Sequence, residues 1–175
     1  MQISLIELHQ MDETRVWKAT VELKREDWAQ ISQLQSLSPL QVEVKAEREE
    51  GLYRLTGKQT AEAVFDCSRC VERYTTTLTM RWSQLITDQA HRIEKDAETE
   101  VHLIQGAEVD VLPYIREALL LGLPLAPLCA EDCKGLCAKC GSNQNEQPCN
   151  CNVDRIDPRL QDLELLLKND GESSS

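Results

Sequence analysis

The alternation of apolar and polar residues predicts a protein built largely from β-strands. Residues 71–82 give the clearest pattern, because side chains alternate between two faces from Arg73 onwards. Threonine and other β-branched residues favour strands, and strict alternation indicates a strand with one buried face. One face carries Tyr74, Thr76, Leu78, Met80 and Trp82, and the other carries Arg73, Thr75, Thr77, Thr79 and Arg81. Further strands are predicted at residues 2–8, 16–23, 40–46 and 100–105, with one or two more at 52–66.

Three segments favour helices. Residues 26–37 repeat an apolar side chain at every third position, which predicts a helix that ends before Pro39. Residues 110–121 are predicted to form the core helix, with Asp110 as its N-cap and Pro113 in its first turn. A short last helix is predicted to begin at residues 157–159. The connections are predicted to be a charged turn at residues 47–51, an acidic loop at residues 87–99 and an extended arm at residues 124–128.

Together these elements predict an α+β fold. A mostly antiparallel sheet of about six strands, either open or curled into a barrel-like shape, packs on one core helix. A cysteine-rich zinc segment and a short C-terminal helix follow. The predicted boundaries are residues 1–128 for the α+β domain, 129–151 for the zinc-binding segment packed on it, 152–168 for the C-terminal helix and 169–175 for a disordered tail.

The charge and composition of the chain argue against several classes of function. The formal net charge is −11, so the chain as a whole repels phosphate and non-specific nucleic-acid binding is not expected. A local basic patch or a basic protein partner remains compatible with this charge. The first residues lack the basic and apolar regions of a signal peptide, and no apolar run is long enough to span a membrane. These features predict a cytoplasmic protein, where thiols stay reduced and favour metal binding over disulfides.

The eight cysteines are the strongest chemical signal in the chain. Two pairs have the spacing Cys-x-x-Cys, namely Cys67 with Cys70 and Cys137 with Cys140, and Gly141 follows the second pair. This spacing aims two sulfurs at one point, and the glycine lets backbone N–H groups turn towards the thiolates. That geometry is typical of a structural zinc knuckle, so the cysteines are predicted to bind Zn²⁺.

The sequence leaves two groupings of the cysteines open. Four cysteines complete one tetrahedral zinc site, so eight divide into two sites. The first possibility pairs Cys67, Cys70, Cys129 and Cys133, with Cys137, Cys140, Cys149 and Cys151 as the second site. The other is a single site of Cys67, Cys70, Cys137 and Cys140, with four auxiliary cysteines. In either case an all-cysteine site has no open position for water, which indicates a structural role rather than Lewis-acid catalysis.

No pattern in the chain predicts an enzyme. His9, His91 and His102 are scattered, and there is no phosphate-binding glycine loop or nucleophile–base pair. A Cys-x-x-Cys oxidoreductase would need its cysteine at a helix N-terminus, whereas Cys67 follows one strand and precedes another. The remaining alternative for the cysteines is a zinc site of the same composition that is also sensitive to oxidation. No small-molecule substrate is expected. The candidates for RNA contact are Arg69, Arg73 and Arg81, with Arg54 and Lys58 on the neighbouring strand.

Several motifs, taken in order, resemble one bacterial family. They are Cys67-Ser68-Arg69-Cys70 between strands, the segment 110–117 (DVLPYIRE), residues 123–125 (LPL), residues 127–141 (PLCAEDCKGLCAKCG) and residues 157–160 (DPRL). Over about residues 40–168 the chain resembles the YceD family, the large ribosomal RNA subunit accumulation proteins. It departs from the family pattern at Gln144, where a leucine is expected.

The resemblance implies a non-enzymatic role in the accumulation, processing or stability of 23S ribosomal RNA during large-subunit assembly. The implied partner is rRNA or a basic ribosomal or assembly protein. The alternative function is a zinc-stabilised adaptor or regulator that docks a protein through its acidic surface and has no RNA role.

Overall fold

The computed structural model describes residues 1–10, 14–49, 52–90 and 101–151. Strands dominate this part of the chain, with short helices near its beginning and after its last strand. The strands are β1 (Gln2–Ser4), β2 (Arg15–Val21), β3 (Leu34–Leu37), β4 (Leu40–Glu49), β5 (Leu52–Asp66), β6 (Arg73–Thr87), β7 (Val101–Leu103) and β8 (Glu108–Asp110). The helices are α1 (Leu5–His9), a 3-10 turn (Arg25–Asp27) and α2 (Leu112–Gly122).

The architecture is α+β, as predicted, with an open sheet. The main sheet runs β2-β4-β5-β6-β7 with β3 paired to the far end of β5, and β1 pairs separately with β8. The pairs are antiparallel except for the parallel pair of β6 and β7. The two 15-residue strands β5 and β6 form the longest hairpin. Their register is continuous from Tyr53 opposite Ile86 to Asp66 opposite Arg73, so the Cys67/Cys70 turn stands at the tip of a long, regular hairpin.

One face of this sheet is buried under α2, and the alternation predicted for β6 is confirmed. Leu78 and Met80 are buried, while Thr77 and Thr79 on the other face are exposed. In α2, Ile115, Ala118 and Leu119 face the core, which confirms the predicted core helix. Residue Asp110 lies one position before the N-cap Val111, and its carboxylate accepts the Leu112 N–H at 3.1 Å.

A close contact fixes the middle of the hairpin. Gly57 lies directly opposite Trp82, and the indole occupies the space where a Cβ at residue 57 would lie. The absence of a side chain at Gly57 therefore lets the Trp82 ring lie flat on the sheet, near Tyr114 of α2 at 5.6 Å between ring centroids. This explains why strand β5 tolerates a glycine in its interior.

The predicted helix at residues 26–37 is wrong. The segment forms the 3-10 turn Arg25–Asp27, a turn region and then strand β3. Leu34 is fully buried and pairs with Phe65, so the apolar spacing of three reflects turns and an irregular strand register rather than helical turns. Pairing with β5 supplies backbone partners that outweigh the helix pattern.

Other boundaries differ by a few residues. The strand predicted at residues 2–8 ends at Ser4, after which Leu5–His9 is helical. The start of the charged turn predicted at residues 47–51 is wrong, because β4 continues to Glu49. The C-terminal helix, the tail and most of the acidic loop at residues 87–99 lie outside the described residues.

Candidate metal centres

The first centre joins the tip of the β5–β6 hairpin to the segment after α2. The Sγ atoms of Cys67, Cys70, Cys129 and Cys133 all lie within 4.8 Å of one another. Cys67 and Cys133 have their sulfurs 3.8 Å apart, and those of Cys70 and Cys129 are 3.6 Å apart. A tetrahedral ion with metal–sulfur bonds of about 2.3 Å has sulfurs about 3.8 Å apart, whereas a disulfide bond is about 2.05 Å long. The sulfurs are therefore spaced for a tetrahedral metal ion.

The second centre lies within the cysteine-rich segment itself. The Sγ atoms of Cys137, Cys140, Cys149 and Cys151 also lie within 4.8 Å of one another. Cys137 is buried, Cys140 is exposed, and the other two are half-buried, so this centre is the more accessible of the two. The structure thus brings the cysteines together as two fours, as the two-site grouping predicts, and both fours could hold a metal ion.

The two Cys-x-x-Cys turns have the same backbone hydrogen bonds. In the first, the Val71 N–H donates to the Cys67 carbonyl at 2.9 Å, and in the second the Gly141 N–H donates to the Cys137 carbonyl at 2.9 Å. A backbone N–H also reaches the first sulfur of each turn, from Arg69 to Cys67 at 3.5 Å and from Lys139 to Cys137 at 3.4 Å. These N–H groups stabilise thiolates, which is the form that binds metal.

The residue after each turn has a left-handed backbone. Gly141 has φ of +73°, which glycine adopts freely, but the equivalent residue in the first turn is Val71 with φ of +63°. A β-branched residue is strained in this region, and the Val71 side chain is 65% exposed, so packing does not repay the strain. The first turn is therefore held in shape by its surroundings rather than by the preference of its own residues.

Arg69 fastens the cysteine-rich segment to the hairpin. Its Nη1 donates to the Cys133 carbonyl at 2.8 Å, and its own carbonyl accepts the Leu136 N–H at 3.1 Å. Gly135 has φ of +76° and approaches Arg69 so closely that a Cβ there would lie 3.0 Å from the Arg69 carbonyl oxygen. The neighbouring Ser68 N–H donates to the Pro127 carbonyl at 2.8 Å, which holds the arm that leads to Cys129.

The sulfurs differ in acidity within each centre. Burial opposes ionisation of Cys67, but N–H groups of Cys70 and Arg69 outweigh it and lower the pKa of Cys67 to about 6. The Cys151 N–H is the main cause that lowers the pKa of Cys149 to about 5. By contrast, the crowding sulfur of Cys70 raises the pKa of Cys129 to about 12, and that of Cys140 raises the pKa of Cys151 to about 12. Four thiolates in such close contact need a cation to balance their charge.

Three polar residues, whose contacts to sulfur the sequence did not predict, complete the sulfur environment. Gln144 Nε2 donates to Cys149 Sγ at 3.1 Å, Asn145 Nδ2 donates to Cys133 Sγ at 3.4 Å, and the Ser142 hydroxyl lies 3.1 Å from Cys140 Sγ. The signal available in the sequence was the run of amide side chains between Gly141 and Cys149. In particular, Gln144, where the resemblance led us to expect a leucine, provides a donor to sulfur that a leucine would not.

The three candidate arginines do not form one patch. Arg69 is held at the hairpin tip, and Arg73 donates to Asp66 at 3.1 Å. Arg81 lies on the exposed face of β6, eight residues from Arg73 along the strand, or about 26 Å at the usual rise of a strand. Across the strands Arg81 pairs with Lys58, which is exposed on the same face.

The histidines have ordinary partners. His9 Nε2 lies 3.0 Å from the Asp88 carboxylate, and His102 Nδ1 lies 3.0 Å from the Tyr114 hydroxyl. His91 lies outside the described residues. Within the part of the chain that the structure describes, no helix is both long and apolar enough to cross a membrane.

Comparison with known proteins identifies the family. The family model described as large ribosomal RNA subunit accumulation protein YceD matches residues 55–167. The chain belongs to the YceD family. The match covers the β5–β6 hairpin from Leu55 onwards, α2 and all eight cysteines, and confirms the resemblance inferred from the motifs. No solved structure matches the chain.

Similar proteins occur in bacteria and plants. The uncharacterized protein YlbN of Bacillus subtilis is 26% identical over 99% of this chain and 100% of its own length. An uncharacterized protein of Mycobacterium leprae is 29% identical over 69% of this chain, which covers 56% of that protein. The chloroplastic large ribosomal RNA subunit accumulation protein YCED homolog 1 of Arabidopsis thaliana is 25% identical, and the match covers 69% of this chain and 46% of the homolog. The chain thus spans about half the length of some relatives and all of another.

Proposed function

We propose that this protein is a non-enzymatic factor that promotes the accumulation and processing of 23S rRNA during assembly of the large ribosomal subunit. Membership of the YceD family carries this proposal, and the name of the Arabidopsis thaliana relative supports it. The match includes both cysteine clusters, so the metal centres belong to the part of the chain on which the proposal rests.

Each centre is proposed to hold one structural zinc ion. Four sulfurs spaced for a tetrahedron suit Zn²⁺, and they leave no coordination position for water or substrate. The ion in the first centre would tie the hairpin tip to the segment after α2. The ion in the second would hold the segment 137–151 in its folded form.

The proposed surface for RNA is the exposed face of the main sheet around Lys58 and Arg81. The two cations are direct cross-strand neighbours, and like charges directly opposite each other destabilise a sheet, while Glu43 lies opposite Lys58 on its other side. Among the described residues neither has an ion pair, whereas Lys18 on the same face is bonded to Glu43 at 3.0 Å. Arg81 is therefore the best placed of the three predicted arginines. Arg69 and Arg73 remain candidates with local partners already in place.

This face fits the RNA backbone better than unstacked bases. Its central depression of about 460 Å³ is lined by Lys18, Thr20, Gln41, Glu43, Lys58 and Thr60. The aromatic side chains of the sheet, including Tyr74 and Trp82, lie on the opposite face. Without an aromatic platform, contacts to phosphate and the 2′-hydroxyl are the expected mode.

The first test is what the tagged full chain retains during purification. Particles that contain large-subunit rRNA support the proposal, and a loss of that rRNA on deletion of the gene supports it further. Co-purification of a non-ribosomal protein alone would favour the adaptor alternative. The net charge of −11 is the observation behind that alternative, because it suits a basic protein partner.

The second test concerns the surface. Lys58→Gln and Arg81→Gln are each expected to weaken binding to a large-subunit rRNA transcript and to lower the salt dependence of log K by about 0.7–0.9. Lys24→Gln, which removes an equal charge outside the strands that carry Lys58 and Arg81, is the control. Equal effects of all three substitutions would reject the proposed surface while leaving the family role intact.

A further inference from the structure

The loop 142–145 contacts both metal centres at once. Gln144 donates a side-chain N–H to Cys149 of the second centre at 3.1 Å. The next residue, Asn145, donates to Cys133 of the first centre at 3.4 Å. Two consecutive residues of one loop therefore supply donors to sulfurs of different clusters.

The orientation of Asn145 is fixed by its other hydrogen bonds. Its Oδ1 accepts the Lys134 N–H at 2.8 Å, and its Nδ2 also donates to Asn143 Oδ1 at 2.9 Å. Because Oδ1 must face a backbone donor, the amide nitrogen must face Cys133. The Asn145 side-chain amide lies in the loop between Cys140 and Cys149 of the second centre. It thus bonds both the Lys134 backbone and the Cys133 sulfur of the first centre.

Backbone hydrogen bonds also connect the two centres, from the first Cys-x-x-Cys turn to the loop of the second centre. The Leu136 N–H donates to the Arg69 carbonyl at 3.1 Å, and the Gln144 N–H donates to the Gly135 carbonyl at 2.9 Å. Leu136 also forms an antiparallel bridge with Asn143. Order in the first Cys-x-x-Cys turn therefore fixes the segment that leads to Cys137, and order in the second centre fixes the loop that reaches back to Cys133.

We propose that the two centres take up metal cooperatively, as one unit coupled through Asn145 and the segment 134–136. The proposal rests on the proposed metal sites. An ion in one centre orders the loop that completes the hydrogen bonds of the other, so the second ion binds to a site whose ordering cost is already met. Hydrogen bonds to charged groups are strong enough for an increase in affinity of about tenfold. Repulsion between two negatively charged four-thiolate sites acts in the opposite direction, so the experiment also decides which effect is larger.

The experiment is a zinc titration of the full chain, first depleted of metal by a chelator under reducing conditions, with native mass spectrometry counting the ions on each molecule. At an average of one ion per chain, independent sites leave at least half of the chains singly loaded, whatever their separate affinities. Coupling of about tenfold between similar sites lowers that fraction to about a quarter. We expect a singly loaded fraction clearly below one half, and a fraction of one half or more would overturn the proposal.

Two single substitutions test whether Asn145 carries the coupling between the centres. Asn145→Ala is expected to raise the singly loaded fraction towards one half while the chain still takes up two ions. Gln147→Ala, a nearby exposed amide whose side chain donates to no sulfur, is the matched control and should behave as the wild type. Equal behaviour of the two variants would overturn the role of Asn145.

A second measurement does not depend on the stability of Asn145→Ala. Cys149→Ser with Cys151→Ser leaves only two ligands in the second centre and all four in the first. We expect the first centre to bind Co²⁺, read from its thiolate absorption, about tenfold more weakly in this variant than in the wild type. Unchanged affinity would overturn the coupling, whereas a wild-type chain that binds no metal at all would overturn the proposed sites as well.

Discussion

The first centre is expected to stabilise the whole sheet because it closes a long loop. Cys70 and Cys129, whose sulfurs are 3.6 Å apart, are separated by 59 positions in the sequence. A cross-link that closes a loop of this length removes enough entropy from the unfolded chain to stabilise the folded state by about 4 kcal/mol. The second centre closes a local loop from Cys137 to Cys151, and its contribution is expected to stay largely within that segment.

The test compares two double substitutions, each of which removes two ligands. Cys129→Ser with Cys133→Ser disables the first centre, and Cys149→Ser with Cys151→Ser disables the second. Urea unfolding is followed by tryptophan fluorescence, because Trp17, Trp28 and Trp82 all lie in the sheet domain and none lies among residues 129–151. All samples contain Zn²⁺ and a reducing agent that does not bind it.

Loss of the first centre is expected to lower the free energy of unfolding by about 4 kcal/mol. Loss of the second should lower it by no more than about 1.4 kcal/mol, the value of the tenfold coupling between the centres. Equal losses from both substitutions, or a loss below about 1 kcal/mol from the first, would refute the idea that the first centre staples the sheet.

Three further predictions concern the hairpin and the thiols. Gly57→Ala should lower the free energy of unfolding by about 2 kcal/mol in urea, because the new Cβ displaces the Trp82 indole; no loss would contradict the packing. Val71→Gly should raise it by up to about 1 kcal/mol, since glycine relieves the strain at φ of +63° by more than it adds in unfolded-state entropy; destabilisation would contradict this. Lowered thiol pKa values contribute stability that is complete above the ordinary value of 9.0 and is lost as the pH falls through about 6 for Cys67 and about 5 for Cys149. Metal counting by native mass spectrometry should therefore show both ions released by about pH 4, and retention there would contradict the thiolate assignment.

The strands with strong alternation could be predicted from the sequence, because the alternation within each strand itself shows which side chains are buried. In β6 every second side chain faces the core, and in α2 the apolar stripe matches the buried face. The tetrahedral chemistry of the cysteines was also predictable, because the Cys-x-x-Cys spacing alone aims two sulfurs at one point.

The errors arose where a distant strand decides the local structure. Leu34 belongs to a strand because it pairs with Phe65, thirty-one positions away, and no pattern within residues 26–37 contains that information. The bridging role of Asn145 was hidden for the same reason, since its partners Lys134 and Cys133 belong to another turn. Likewise, only the cross-strand register showed that Arg81 faces Lys58 while Arg73 is bonded to Asp66.

The most direct test of the account is the metal content of the full chain purified without chelator, measured by native mass spectrometry together with alkylation of its thiols. The account predicts two zinc ions per molecule and eight cysteines that resist alkylation until the metal is removed. A folded chain that carries no metal and has eight reactive thiols would contradict it.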